Sequence, residues 1–295
     1  MDRILKVVFA LVLLAAGAVS CRREAPAPAS GSATNQTFIV KGVVKEVARK
    51  FVTIQHENIP DYMPAMTMPF DLKNPVDAKG IKPGDPVSFR LNVRGDDSWI
   101  DQISKLNVSP VEMPSRQSVQ APRDLDPINM GEAMPNFTFT NELGQAVHLD
   151  DFRGKAVALT FIFTRCPLPN FCPRMSSNFS EAAKKLSAKS DAPKNWQLLS
   201  ISFDPDFDTP AVLKAYAGRY NYDAAHWSFL TGSKFEIGAL AAKLGMIYVE
   251  EAGTFNHKLR TAIIDPRGRV QKILLGNDWT SDQLVAELIQ AAAVP

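Results

Sequence analysis

A chain of 295 residues, 45% of them hydrophobic, exceeds one typical small domain and suffices for two cores joined by linkers. Its 33 Lys and Arg against 31 Asp and Glu give a formal net charge of +2, with the two signs intermixed and no basic block, which argues against nucleic acid as a partner.

In chain order, Asp2, Arg3 and Lys6 precede an apolar run over 7–19 that is short for a membrane-spanning helix, so residues 1–20 read as a secretory signal peptide. Its end, Ala18-Val19-Ser20-Cys21, resembles a bacterial lipobox, in which the cysteine becomes the acylated N-terminus after cleavage. That resemblance implies a lipoprotein held through Cys21 on the periplasmic side of a bacterial membrane. Acyl chains contribute roughly 0.8 kcal/mol per buried CH₂, so two or three suffice as an anchor. A signal peptide cleaved elsewhere is the competing reading. Residues 21–36, rich in Ala, Pro and Ser beyond the cysteine, read as a flexible tether.

Over 37–108 come five strand-like runs, FIVKGVVKEV, KFVTIQHE, MTMPF, PVSFRLNV and WIDQISKL, with turn signals such as Lys82-Pro83-Gly84-Asp85 and no helical period. They predict a small all-β barrel of OB type. Residues 109–133 are again Pro-rich and aperiodic, a linker. From 134 to 295 strands and helices alternate. Residues 137–140 and 146–149 flank Gly144 as a hairpin, and 157–163 and 198–203 are almost unbroken apolar runs, as in strands buried on both faces. Thr209-Pro210, Ser233 with Glu236, and Thr280 with Gln283 mark helix starts. Two strands, 258–264 and 270–275, join through Asp265-Pro266-Arg267-Gly268. The order strand, helix, strand, helix, helix, hairpin, helix predicts an α/β thioredoxin-like fold.

With Cys21 assigned to the lipobox, Cys166 and Cys172 remain as a pair in an oxidising compartment, open to use as a structural disulfide, a redox couple or a metal site. They lie in Thr164-Arg165-Cys166-Pro167-Leu168-Pro169-Asn170-Phe171-Cys172-Pro173, after a buried strand and before a helical stretch. Pro173 suits the first helical position, which puts Cys172 at a helix N-terminus, where N–H groups and the dipole favour a thiolate. A stapling disulfide across so short a loop removes little chain entropy, so metal or redox chemistry is the better reading.

The cysteine pair, Ser202-Phe203-Asp204-Pro205-Asp206-Phe207-Asp208-Thr209-Pro210, and Asn256-His257 ahead of the strand ending at Asp265 together resemble the Sco/SenC family over roughly residues 134–293. Members of that family bind copper through two Cys and one His and assist assembly of the CuA centre of cytochrome c oxidase. The resemblance implies Cys166, Cys172 and His257 as copper ligands. The family motif usually has three residues between its cysteines; this chain has five, two of them Pro167 and Pro169, so the loop must fold back to bring the sulfurs together. Two thiolates and an imidazole form a soft donor set suited to Cu(I), with Cu(II) accessible through the nitrogen.

In the first domain, His56 precedes Met63, Met66 and Met68 in a Pro-rich stretch. Methionines commonly fill small cores, but three in six residues beside a lone His suggest a second soft site. The segment resembles the CusF family of periplasmic copper and silver carriers, five-stranded barrels over roughly residues 37–108, which implies His56, Met66 and Met68 as ligands and Met63 in place of that family's covering Trp. Neutral thioethers favour Cu(I).

Together these readings predict a copper metallochaperone of the cell envelope delivering Cu(I) to a cytochrome c oxidase subunit or another copper acceptor. The alternatives are a thiol-disulfide oxidoreductase, with Cys166 and Cys172 as its redox pair recharged by an envelope thiol reductant, and a copper-tolerance metal sink. The first alternative is weakened by the absence of Cys-x-x-Cys and by His257 where thioredoxins carry a proline.

Overall fold

The structure, a computed structural model, describes residues 35–294 apart from 64, 96, 108–125, 247, 252, 253 and 258; for 248–251 and 254–257 it describes the backbone alone. The signal peptide, Cys21, the tether to residue 34 and the linker over 109–125 therefore lie outside the described residues.

Five antiparallel strands form the first sheet: β1 (Gln36–Val47), β2 (Phe51–His56), β3 (Met66–Asp71), β4 (Pro86–Arg94) and β5 (Asp97–Lys105), in the order β3-β2-β1-β4-β5. Alternation along β2 and β4 buries Val52, Ile54, Val87, Phe89 and Leu91 on one face, as period-two patterning requires. The sheet's outer strands meet at a parallel bridge, Leu72 to Ile100, where the Lys73 N–H donates to the Ile100 carbonyl (3.0 Å). The small all-β domain is thus curled toward a barrel, its outer strands linked at that bridge and otherwise unpaired among the described residues.

A seven-stranded sheet follows, in the order β14-β13-β8-β9-β10-β6-β7. Its centre is β8 (Ala156–Ile162) and β9 (Trp196–Ser202), every residue of both buried, parallel to each other and to β10 (Trp227–Thr231). The hairpin β6 (Thr138–Asn141) and β7 (Ala146–His148) flanks β10, and β13 (Arg260–Ile264) with β14 (Val270–Leu275) flanks β8, all antiparallel. Helix α1 (Cys172–Ala188) buries Cys172, Met175, Phe179, Ala182 and Leu186, an i, i+3, i+7 stripe, and packs with α4 (Ser281–Ala292) over β8. Helix α2 (Pro210–Gly218) lies against β10, and α3 (Lys234–Lys243) follows. The caps fall where the sequence put them, Thr209, Ser233 and Thr280 each accepting an N–H of the first turn.

Two elements differ from the expectation. Strand β10, five residues beginning at Trp227, lies between α2 and α3, where no strand was predicted; a short run of mixed apolar and hydroxyl residues carries little periodic signal. A two-stranded hairpin, β11 (Tyr248–Glu251) and β12 (Thr254–His257), precedes β13, so His257 ends its own strand, opposite Tyr248, rather than leading into the next. Strand β12 runs beside β3 of the barrel. Among the described residues no helix is long and apolar enough to cross a membrane.

Candidate metal centre

Strand β8 ends at Ile162, and the chain then turns through Thr164 and Arg165 to Cys166. The five intervening residues fold back as a compact loop, with the Phe171 N–H donating to the Leu168 carbonyl (3.2 Å), the Arg174 N–H to that of Pro169 (3.0 Å), and the Leu168 side chain buried. The fold-back brings the two thiols within hydrogen-bonding reach of each other, and both are free. Burial pushes the Cys166 thiol up, but a hydrogen bond from the Cys172 thiol and backbone hydrogen bonds at Cys172 and Leu168 outweigh it, so Cys166 lies below the ordinary thiol value. Burial, the shared proton and the charge of Cys166 hold Cys172 well above that value. Cys172 is itself the first residue of α1 and wholly buried, with Pro173 second, and the N–H at that terminus serves Cys166.

The loop is fastened from beneath by Asp208. Its buried carboxylate accepts the Thr164 N–H (3.0 Å), the Thr164 hydroxyl (2.5 Å) and the Ser202 hydroxyl (2.5 Å). Asp204 takes the Arg165 guanidinium (2.6 Å), which also stacks over the Phe207 ring at 4.2 Å from its centroid. These aspartates therefore anchor the cysteine loop, a role no local motif announces. His257 is placed by its backbone on β12; its side chain, the third ligand implied by resemblance, lies outside the described residues, and among those described no cluster of three His, Cys, Asp or Glu stands ready for a metal.

In the barrel, His56 and Met66 are directly paired across β2 and β3, and Met68, two residues on, shares their face. His56, Met63, Met66 and Met68 are all buried. A tight turn bridged by Ile59 and Met63 returns the chain from β2 toward β3. The His56 ring sits edge-on to Phe70 (5.4 Å between centroids), and its Nδ1 donates to the Glu57 carbonyl (2.7 Å). Since a carbonyl only accepts, Nδ1 carries the proton and Nε2 keeps a free lone pair. That Nε2 is buried with no hydrogen-bond partner among the described residues. Burial pulls the imidazole down to about 4, against the opposing pull of the Glu57 carbonyl. A neutral imidazole with an unclaimed nitrogen, on one face with two thioethers, fits a soft monovalent cation. Gly42 lies opposite His56 on β1, where a Cβ would come within 2.5 Å of the Gln55 carbonyl oxygen and 3.0 Å of the His56 Cα.

The barrel contacts the cysteine loop through residues that neighbour its donors. Tyr62, beside Met63, donates its hydroxyl to the Pro167 carbonyl (3.0 Å), and burial, with the nearby Cys166 sulfur, raises that hydroxyl well above its usual range. Asn170, 1% exposed, accepts from the Ser98 hydroxyl (2.5 Å) and donates to the Asp71 carboxylate at the end of β3 (2.8 Å). Arg174 pairs with Asp97 and Lys50 with Asp278 (2.8 Å) at the edge of the same contact.

Fold and site define a class: a thioredoxin-like domain presenting a paired, unequal thiol couple, joined to a small barrel with a thioether and imidazole cluster. The SCO1/SenC family model matches residues 126–293, more than half the chain, and the model of the copper binding periplasmic protein CusF matches residues 37–105. The chain belongs to the SCO1/SenC family and carries a CusF-like domain ahead of it. It is similar to the SCO1 protein homolog of Bacillus subtilis, 32% identical over 174 residues that cover 57% of this chain and 86% of that relative. Among solved structures it resembles BsSco, described as a member of the Sco family of cytochrome c oxidase assembly proteins with a disulfide switch. There the identity is 31% and the TM-score 0.50, covering 58% of this chain and 98% of that one.

Proposed function

We propose that the protein is a copper metallochaperone of the bacterial envelope, in which the barrel takes up Cu(I) at His56, Met66 and Met68, with Met63 alongside, and the thioredoxin-like domain passes it on from Cys166, Cys172 and His257. The observation that carries this reading is the buried, unpartnered Nε2 of His56 on the methionine face, since an unsatisfied polar atom costs on the order of 1–3 kcal/mol unless something binds it. Membership of the SCO1/SenC family and the CusF match support copper as the cargo. The acceptor is the CuA-bearing subunit of cytochrome c oxidase or a related envelope protein, and Cys21 holds the chain to the lipid on the periplasmic side. Thiolates bind Cu(I) more tightly than thioethers, so transfer from barrel to cysteines runs downhill.

A second reading, thiol-disulfide exchange with the acceptor's cysteines, is favoured by the inequality of the pair. A thiol lowered below its ordinary value beside one raised above it matches an attacking and a resolving sulfur. An envelope thiol reductant would then restore the couple. Cu(I) titration of the reduced protein discriminates the two. Two tight sites, one lost in Met66→Ala and the other in His257→Ala, support delivery; failure of the reduced cysteine pair to hold copper leaves the redox reading.

A further inference from the structure

The contact between the barrel and the cysteine loop is specific in a way that simple tethering does not require. Tyr62 is the residue next to Met63 and holds the carbonyl of Pro167, the residue next to Cys166. Asp71 closes β3, the strand of Met66 and Met68, and holds Asn170, two residues before Cys172. Asn170 is enclosed, its amide shared between Asp71 and Ser98 of the barrel and its carbonyl held by Asn277 of its own domain (2.8 Å). Both flanks of the five-residue cysteine loop are thus bonded to segments that carry the barrel's metal donors.

We propose that this docked arrangement is a relay in which Cu(I) passes from the barrel directly to Cys166 and Cys172 of the same chain, with Tyr62 and Asn170 as the positioning residues that hold donor and receiver together. The proposal rests on the copper-delivery reading above and adds its route. Copper stays Cu(I) throughout. As the Cu–thioether and Cu–imidazole bonds of the barrel break, two Cu–thiolate bonds and one bond to the proposed His257 ligand take their place, and the protons of the two thiols leave to water. The Cys166 sulfur, whose loop Tyr62 touches, is the first to engage, and Cys172 follows. An intramolecular receiver acts at an effective concentration on the order of millimolar, so at micromolar protein the in-chain route outruns exchange between chains by about 10³.

The test mixes the reduced full-length protein in a stopped-flow instrument with one equivalent of Cu(I) supplied in acetonitrile, and follows thiolate-to-copper absorbance. The relay predicts a phase whose rate is unchanged over a wide range of protein concentration, and which is lost in Met66→Ala/Met68→Ala. In Tyr62→Phe and in Asn170→Ala the phase slows about tenfold, the factor that corresponds to one or two lost hydrogen bonds, while equilibrium titration shows both sites still filling. Tyr62→Phe removes only a hydroxyl and keeps the test open should Asn170→Ala fold poorly. A phase that scales with protein concentration and is indifferent to Tyr62→Phe overturns the relay, since copper then reaches the cysteines from solution. Absence of any thiolate–copper signal at equilibrium in the unsubstituted protein overturns the delivery reading itself, and the relay with it.

Discussion

Replacing Asp208 by alanine tests whether the cysteine loop is held by that buried carboxylate. Alanine leaves three donors without an acceptor, the half-buried Thr164 N–H and hydroxyl and the buried Ser202 hydroxyl. An unsatisfied buried donor costs about 1–3 kcal/mol, and hydroxyl rotation and water entry recover part of it, so the expected loss is about 3–5 kcal/mol. Asparagine behaves differently. Its carbonyl oxygen can take the place of the oxygen that serves Thr164 N–H and Ser202, and the Thr164 hydroxyl can turn to accept from its amide. Burial raises the Asp208 carboxyl above its usual range despite these bonds, so giving up the charge recovers some desolvation. Asp208→Asn is therefore expected to cost about 1 kcal/mol. Urea unfolding of the reduced, metal-free protein measures both variants. Equal destabilisation by Ala and Asn, or an Ala variant within about 1 kcal/mol of the parent, refutes the view that hydrogen-bond acceptance by Asp208 fastens the loop.

Because the folded His56 imidazole is lowered from 6.5 to about 4, its contribution is fully present above pH 6.5 and lost as pH falls toward 4. At 1.36 kcal/mol per pH unit it amounts to about 3 kcal/mol, and His56→Gln should flatten that part of the stability profile of the metal-free protein. In the reduced protein, iodoacetamide should modify Cys166 well before Cys172. Cys172→Ala, which removes the thiol donor, should slow the reaction at Cys166, and Cys172→Ser, which keeps a donor, should restore much of its rate. Gly42→Ala presses a methyl against the strand of His56. The expected result is a destabilisation of about 1–3 kcal/mol, with a weaker Cu(I) site in the barrel read by titration.

What the sequence made legible follows from how locally each signal is written. The strands over 157–163 and 198–203 stood out because a strand buried on both faces carries apolar residues at nearly every position and no charge, and the helix starts because Thr209, Ser233 and Thr280 each act on their own first turn. His56, Met66 and Met68 could be grouped from their types and spacing, and the structure adds what spacing does not contain, the pairing of His56 with Met66 and the lone pair left on Nε2. Asp208 gave no local sign of its role: its partners are Thr164, just past the end of β8, and Ser202, the last residue of β9, and nothing in its own neighbourhood points to Thr164. Asn170 and Tyr62 were invisible for the same reason, being 72 and 105 positions from the residues they hold. Pro173 made the helix terminus beside Cys172 legible, but only the fold-back of the loop shows that the N–H at that terminus reaches the Cys166 sulfur.

The single bridge between Leu72 and Ile100 leaves most of β3 without a partner on its outer side within the first sheet. An open strand edge is a template on which other chains add, and natural sheets blunt or cover such edges. Here the hairpin strand β12, which ends in His257, runs beside it. A piece of the neighbouring domain thus lies against the strand that carries Met66 and Met68, and the barrel cut away from the rest of the chain, with that neighbour gone, is expected to aggregate more readily than the whole. Solubility and metal handling are in this way written into the same few residues.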